Sequence, residues 1–272
     1  MTLLHTTIHL HGNFDIACTR RPSDDGETVV FIHGFGSAKE HFRYAFDSPS
    51  LENYTLITLD LVGFGQSLGP EGFGYSMKDQ ATIVLETLDQ LETGSFHLCA
   101  HSMGGLIAMN MAEMEPRRVL SLIDMEGNLT PEDCFISGKV AGISFEAFVE
   151  YGRQKLEQEF RDAGLEDLAM HEYVNTFTAA LTVALYRSAC HTVEESSTPL
   201  VERLSRIRNV CFIYGERNKG VYPGEHLLRA AGVPIFYIEG AGHSMATENP
   251  KQLYNVIRSF IDGVPRTLMG ND

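Results

Sequence analysis

The run Cys99-Ala100-His101-Ser102-Met103-Gly104-Gly105 carries the clearest chemistry in this sequence. An apolar stretch leads into it, and Leu106, Ile107, Ala108, Met109 and Met111 follow with the pattern of a helix. A serine on a strand-to-helix turn is held in a strained backbone conformation that pushes its hydroxyl out of the sheet. Small residues two before and two after it, Ala100 and Gly104, let such a turn approach its neighbours. The helix that follows directs its positive end at the same point, which suits a developing oxyanion. The chemistry predicted for Ser102 is nucleophilic attack.

A serine hydroxyl is a weak nucleophile and needs a base. His243 is the candidate, in Gly240-Ala241-Gly242-His243-Ser244, a flexible loop between an apolar strand and the final helix. A lone loop histidine is usually only solvated, but this one follows a serine turn in the order a base would need. Phe31-Ile32-His33-Gly34-Phe35-Gly36 ends another strand, and its glycines free backbone N–H groups to face a ligand. The N–H groups of Phe35 and Met103 are expected to form an oxyanion hole. His33 reads as a structural residue bonded to its loop. Asp60, in Leu59-Asp60-Leu61-Val62-Gly63-Phe64-Gly65-Gln66-Ser67, reads as a turn organiser.

These residues need a scaffold that brings strand ends together. Two extended runs, Thr7 to His11 and Phe14 to Arg20, flank Gly12-Asn13, which predicts an antiparallel hairpin. Six short apolar runs follow: Thr28 to Ile32, Thr55 to Leu59, Ser95 to Ala100, Val119 to Met125, Val210 to Tyr214 and Pro234 to Ile238. Their lack of alternation is the mark of strands covered on both faces. Between them lie helical patterns. Ala81, Val84, Leu85 and Leu88 form one stripe, with Ser76 and Asp79 as its cap and Gly94 as its end. The last helix has Asn249 as cap, Pro250 in its first turn and Gly263 at its end. The expectation is an α/β fold, a mostly parallel eight-stranded sheet with helices on both faces.

One stretch breaks the alternation. Residues 128–198 contain no convincing strand but several helical patterns, with Phe145, Phe148, Val149, Leu156, Phe160, Leu165 and Leu168 among their apolar positions, and Thr176 to Cys190 reads as one buried helix. This is expected to be a helical lid over the carboxyl edge of the sheet, where open α/β sheets bind ligands. Residues 1–127 and 199–272 would form the core.

Composition narrows the class. Lys plus Arg is 21 against 36 Asp plus Glu, a formal net charge of −15, which repels nucleic acid and anionic surfaces. No window approaches 18 consecutive apolar residues, so no membrane span is expected, and the start of the chain carries no secretory pattern, which predicts a cytoplasmic protein. Five cysteines without CxxC spacing argue against a disulfide framework or zinc site.

Four motifs, HGFG at 33–36, DLVGFGQS at 60–67, AHSMGG at 100–105 and GAGHSMATENP at 240–250, resemble the α/β-hydrolase superfamily, and its lidded esterase, lipase and aminopeptidase-like branch in particular. Ala100 stands where the pattern has its first Gly. The resemblance implies a third catalytic residue, an Asp after the strand that precedes the histidine's strand. That position holds Asn218, and the Asp-to-Asn change in a triad costs on the order of 10⁴ in turnover. Some relatives, notably haloalkane dehalogenases, carry the acid one strand earlier, where this chain reads Asp124-Met125-Glu126-Gly127. Glu126 is the first choice because it lies nearer the carboxyl end and has the longer reach. Asp124, expected deeper in the sheet, and Glu216 are the alternatives.

The reading is a serine hydrolase that cleaves a carboxylic ester through an acyl-enzyme, with a small ester or acyl substrate and no metal or organic cofactor. Dehalogenase and epoxide hydrolase activities are disfavoured, since they need a carboxylate where Ser102 stands; the absence of Trp points the same way for the dehalogenases. Thioester, amide or peptide, and C–C cleavage, or a lyase reaction, use the same apparatus. A ligand-binding protein on this scaffold is the non-catalytic alternative. No pattern in the chain speaks to oligomeric state.

Overall fold

The computed structural model describes residues 2–24, 26–165 and 167–264; the end of the second core segment, 265–272, lies outside the described residues. β1 (Leu4–Leu10) and β2 (Phe14–Arg21) form the antiparallel hairpin, with Gly12 and Asn13 at φ 83° and 66° in its turn. Both values lie in the left-handed region that Gly and Asn tolerate best. Then come β3 (Thr28–Ile32), β4 (Thr55–Leu59), β5 (Phe96–His101), β6 (Val119–Met125), β7 (Val210–Gly215) and β8 (Ile235–Ile238). Among the described residues they form one eight-stranded sheet in the order β1-β2-β4-β3-β5-β6-β7-β8. All pairings from β4 through β8 are parallel, so the carboxyl ends of β3, β5, β6, β7 and β8 share one edge.

Successive side chains of the central strands enter two cores. Val30, Ile32, Ile57 and Leu59 pack with α1 (Met77–Gln90) and α2 (Met103–Met114). Val29, Phe31, Leu56, Cys99, Ile123 and Ile213 pack beneath the 3₁₀ segment Lys39–Ala45 and helices near the chain's end. This two-sided burial is why these strands read as continuous apolar runs. Ser76 and Asp79 cap α1 reciprocally, at 3.0 and 3.2 Å. That helix stops earlier than Gly94 suggested. Glu92 takes the left-handed conformation (φ 52°), and Thr93 N–H closes onto the Leu88 carbonyl at 2.9 Å.

Between β6 and β7 the described residues are helical and contain no strand. The segment holds α3 (Ser137–Ala141), α4 (Phe145–Ala147), the π turn Phe148–Gly152, α5 (Arg153–Ala163), α6 (Leu168–Ala179), α7 (Thr182–Glu195) and α8 (Val201–Ser205). Two expectations fail here. Thr176 to Cys190 is not one helix: the chain turns extended at Ala180 and Leu181, where the Leu181 N–H donates to the Gly63 carbonyl at 2.8 Å. Docking to the core outweighs continuation of the helix. Phe148, Leu156 and Phe160 are buried, but Leu165 and Leu168 are 83% and 65% exposed and belong to no buried stripe. After β7 come α9 (Pro223–Ala230), α10 (Met245–Glu248) and α11 (Pro250–Asp262), the last capped by Asn249 as expected. No helix among the described residues is long and apolar enough to cross a membrane.

The turn between β5 and α2 is tight. A Cβ on Gly104 would lie 2.6 Å from the Ile32 carbonyl oxygen and 2.8 Å from that of His33, both backbone atoms that cannot swing aside. A Cβ on Gly138, in α3, would meet nothing within 4 Å. Gly104→Ala should therefore destabilise the fold by about 1–3 kcal/mol, whereas Gly138→Ala should be neutral or stabilising by up to about 1 kcal/mol. Thermal unfolding of both variants checks this; equal effects would contradict the packing argument.

Candidate active site

Ser102 sits between β5 and α2 at φ 54°, ψ −126°, outside the regions open to most side chains. Its backbone is pinned on both sides: its N–H donates to the Met125 carbonyl at 3.0 Å, and its carbonyl accepts from Gly105 N–H at 2.8 Å. Such a conformation costs about 1–3 kcal/mol and persists only where its surroundings impose it. Met103 opens α2 immediately afterwards, so its N–H belongs to the unsatisfied first turn of that helix.

The strand β6 ends at Met125, and Glu126 turns away at φ 47°. Its carboxylate, with the side chain 3% exposed, is met by donors from three places. Gly215 N–H at the end of β7 donates to Oε1 at 2.8 Å. Asn218 Nδ2 reaches both oxygens, at 3.0 and 2.9 Å. His243 Nδ1 lies 2.7 Å from Oε2. A carboxylate only accepts here, so the ring proton sits on Nδ1 and Nε2 presents a lone pair. That is the tautomer a base requires.

The other acids are engaged elsewhere. The exposed Glu216 carboxylate accepts from Gly240 N–H at 2.9 Å. Asp124 is fully buried, and neither oxygen has a hydrogen bond of ordinary geometry. It packs so closely under the chain that a Cβ on Gly127 or Gly105 would lie 2.3 or 2.5 Å from Oδ1. Burial, reinforced by the Asp133 carboxylate and only partly opposed by the Gly127 amide, holds its pKa well above the usual carboxylate range.

His33 is wholly buried and accepts from Leu61 N–H through Nε2 at 3.0 Å, which leaves Nδ1–H to donate to the Gly34 carbonyl at 2.8 Å. Burial lowers its pKa, so it stays neutral. Asp60 accepts from Lys39 N–H (2.7 Å), Lys39 Nζ (3.0 Å) and Gln66 N–H (2.9 Å), fixing the turn and the segment behind Phe35. Both residues are structural, as their sequence context indicated.

Ser102, Phe35 and His243 line one cavity of about 310 Å³, closed on its other side by the helical segment through Phe135, Met170 and Tyr173. Tyr173 donates to the Phe35 carbonyl at 3.0 Å, and the Phe135 ring stands edge-on to His243 at 5.2 Å. Arg43 pairs with Glu172 of α6, whose other oxygen accepts from Thr247 at 3.3 Å. Sequence reasoning missed these residues because nothing in a helical stripe says which core loop it faces. It also missed Asn218 as a clamp on Glu126, and the imidazole of His41 stacked on that of His101 at 4.5 Å. Among the described residues no three His, Cys, Asp or Glu side chains are grouped to hold a metal ion, and the five cysteines are free thiols.

Comparison with known proteins identifies the family. Residues 29–256 match the model of the Alpha/beta hydrolase family. The chain belongs to that family. It is 28% identical over 250 residues (89% of this chain, 66% of the relative) to the dihydrolipoyllysine-residue acetyltransferase component of the acetoin cleaving system of Cupriavidus necator. It is 39% identical over 98 residues (36% of this chain, 30% of the relative) to Lipase 3 of Moraxella sp.. The chain thus spans less than two thirds of either relative's length. A thermophilic esterase from Thermogutta terrifontis has the same fold, with a TM-score of 0.76 over 97% of this chain and 99% of that one at 20% identity. As an α/β hydrolase, the chain has its serine turn and its histidine loop at the edge where this sheet opens.

Asp124 yields a test with a definite sign. A raised pKa means that the folded state keeps its proton while the unfolded chain ionises above about pH 3.9, so this group's contribution to stability falls as pH rises from there. Asp124→Asn cannot ionise in either state. Its melting temperature relative to the native protein should climb between pH 4 and 7, by roughly 2–4 °C per pH unit. A difference independent of pH would show that Asp124 is charged when buried.

Proposed function

We propose that this α/β hydrolase cleaves small carboxylic esters through an acyl-enzyme, with Ser102 as nucleophile, His243 as base and Glu126 as acid. The observation that carries the reading is the 2.7 Å contact between Glu126 Oε2 and the Nδ1 of His243, which lines one cavity with the strained Ser102. Ser102 Oγ bonds to the carbonyl carbon while its proton passes to His243 Nε2. Glu126 holds the ring and balances the charge of the imidazolium. The N–H groups of Phe35 and Met103 receive the oxyanion. As the intermediate collapses, the carbonyl–alkoxy bond breaks and His243 gives its proton to the leaving oxygen. Water, deprotonated in turn by His243, then cleaves the acyl-serine and restores the hydroxyl. No step calls for a metal or organic cofactor.

In this reading residues 128–198 act as a lid on the core formed by 1–127 and 199–272. The esterase and lipase names of the relatives agree with ester cleavage. The one cation on the wall among the described residues, Arg43, is paired with Glu172, which leaves no free positive charge to receive an anionic substrate and suits a neutral one.

A fluorophosphonate probe tests the nucleophile. Stoichiometric labelling is expected and should vanish in Ser102→Ala; an unlabelled native protein would leave only ligand binding on a hydrolase scaffold. For the acid, Glu126→Gln should lose about 10³–10⁴ in kcat and Asn218→Ala no more than about tenfold, since the amide only orients the carboxylate. Similar small losses from both would remove Glu126 from the role.

A cavity of about 310 Å³ is at the small end of ligand sites. p-Nitrophenyl esters from acetate to hexanoate should exceed the palmitate in kcat/KM by at least about tenfold. The reverse order in a monomeric assay would mean that the helical segment opens far more than its contacts suggest.

A further inference from the structure

We infer that His101 is a positioning residue, whose Nε2–H ties the backbone of the His243 loop to the nucleophile turn. The inference rests on the serine-hydrolase reading. His101 Nε2 lies 2.8 Å from the backbone oxygen of His243. A carbonyl only accepts, so the ring proton is on Nε2 and Nδ1 is a bare lone pair. That nitrogen is buried without a hydrogen-bond partner, and a Cβ on Gly34 would sit 3.2 Å from it. A second proton would have no acceptor there. Burial and the neighbouring His41 and His243 rings also keep the His101 pKa well below the usual histidine value. His101 is therefore a neutral ring in one tautomer, with its single donor aimed at one oxygen.

The ring cannot easily turn. His41 stacks on it at 4.5 Å and 20°, and Phe42 meets His41 edge-on at 4.8 Å. The His243 imidazole lies 4.5 Å from the His101 ring, tilted by 48°. Glu126 fixes the rotation of the His243 ring, and Glu248 holds the Gly242 N–H at 2.7 Å, but neither bond connects the loop to β5. His101 makes that connection, and it is the residue covalently joined to Ser102. One hydrogen bond thus sets the spacing between the two backbones whose side chains must exchange a proton. A displacement of about 1 Å in such a pair can cost about 10²-fold in rate.

The test compares His101→Gln with His101→Met. The two new side chains have similar length, and only the Gln amide can place a donor where Nε2–H stood. His101→Met should lower kcat by about 30–100-fold with KM within about threefold, and His101→Gln should recover to within about fivefold of native. Amide hydrogen exchange at 240–244 should quicken in the Met variant and stay near native in the Gln variant. That second readout works on a protein without turnover, so failure of the hydrolase reading, seen as an inert native protein, is separable from failure of this one. The inference is overturned if Met keeps kcat within about threefold, or if Gln and Met lose rate and protection alike. Should the Met variant not fold, His101→Asn, whose amide falls short of the carbonyl, takes its place in the comparison.

Discussion

One buried carboxylate holds the candidate site together. Glu126 accepts hydrogen bonds from the end of β7, from Asn218 in the turn after it and from the His243 imidazole after β8. Taking a carboxylate out of water is costly unless its lone pairs are met by donors, and here they are met by groups from two further elements of the sheet edge. The ends of β6, β7 and the β8 loop are therefore constrained as a set. The left-handed turn at Glu126 is part of the same constraint, since continued strand geometry would direct the side chain along the face that Asp124 occupies.

The contrast with Asp124 shows how environment rather than residue type assigns roles. The two acids are two residues apart, Asp124 within β6 and Glu126 just past its end, and both are buried. Asp124 is packed under Gly105 and Gly127 without a hydrogen-bond donor of good geometry, and burial holds its pKa well above the usual carboxylate range. Glu126 is surrounded by N–H groups and an imidazole. A neutral carboxyl fills space; a carboxylate bonded to Nδ1 fixes a tautomer. Different surroundings of this kind let neighbouring acids play different parts in one site.

Much of this was legible in the sequence, for physical reasons that differ between elements. The strands β3, β4 and β6 coincide with their apolar runs, because strands buried on both faces lack the alternating solvent-facing polar positions that blur a strand's limits. The caps Ser76 and Asn249 were legible because a side-chain cap is a local interaction. The end of α1 was not, since Glu92 took the left-handed position that glycine usually fills. The helical segment was least legible: the break at Leu181 answers to a carbonyl at Gly63, more than a hundred residues away in the chain. Glu126 could be chosen over Asp124 by reach, whereas the clamp from Asn218 and the stacked histidines depend on which strands are neighbours.

Charge adds a last constraint on how the site can work. A chain with a formal net charge of −15 presents an unfavourable average field to any developing anion. The cation lining the cavity, Arg43, is paired with Glu172, and Lys39 behind the Phe35 loop is tied to Asp60 and Glu40. In the proposed reaction, an oxyanion beside Ser102 would draw on short-range dipoles, those of the first turn of α2 and the amide of Phe35. Such dipoles act over a few ångströms, inside the Debye length of about 8–10 Å and out of reach of most screening ions. Ser102 stands at the N-terminal end of α2, so in that reading the nucleophile lies beside the positive end of the helix. The tight glycine approach at 104 lets that helix begin there.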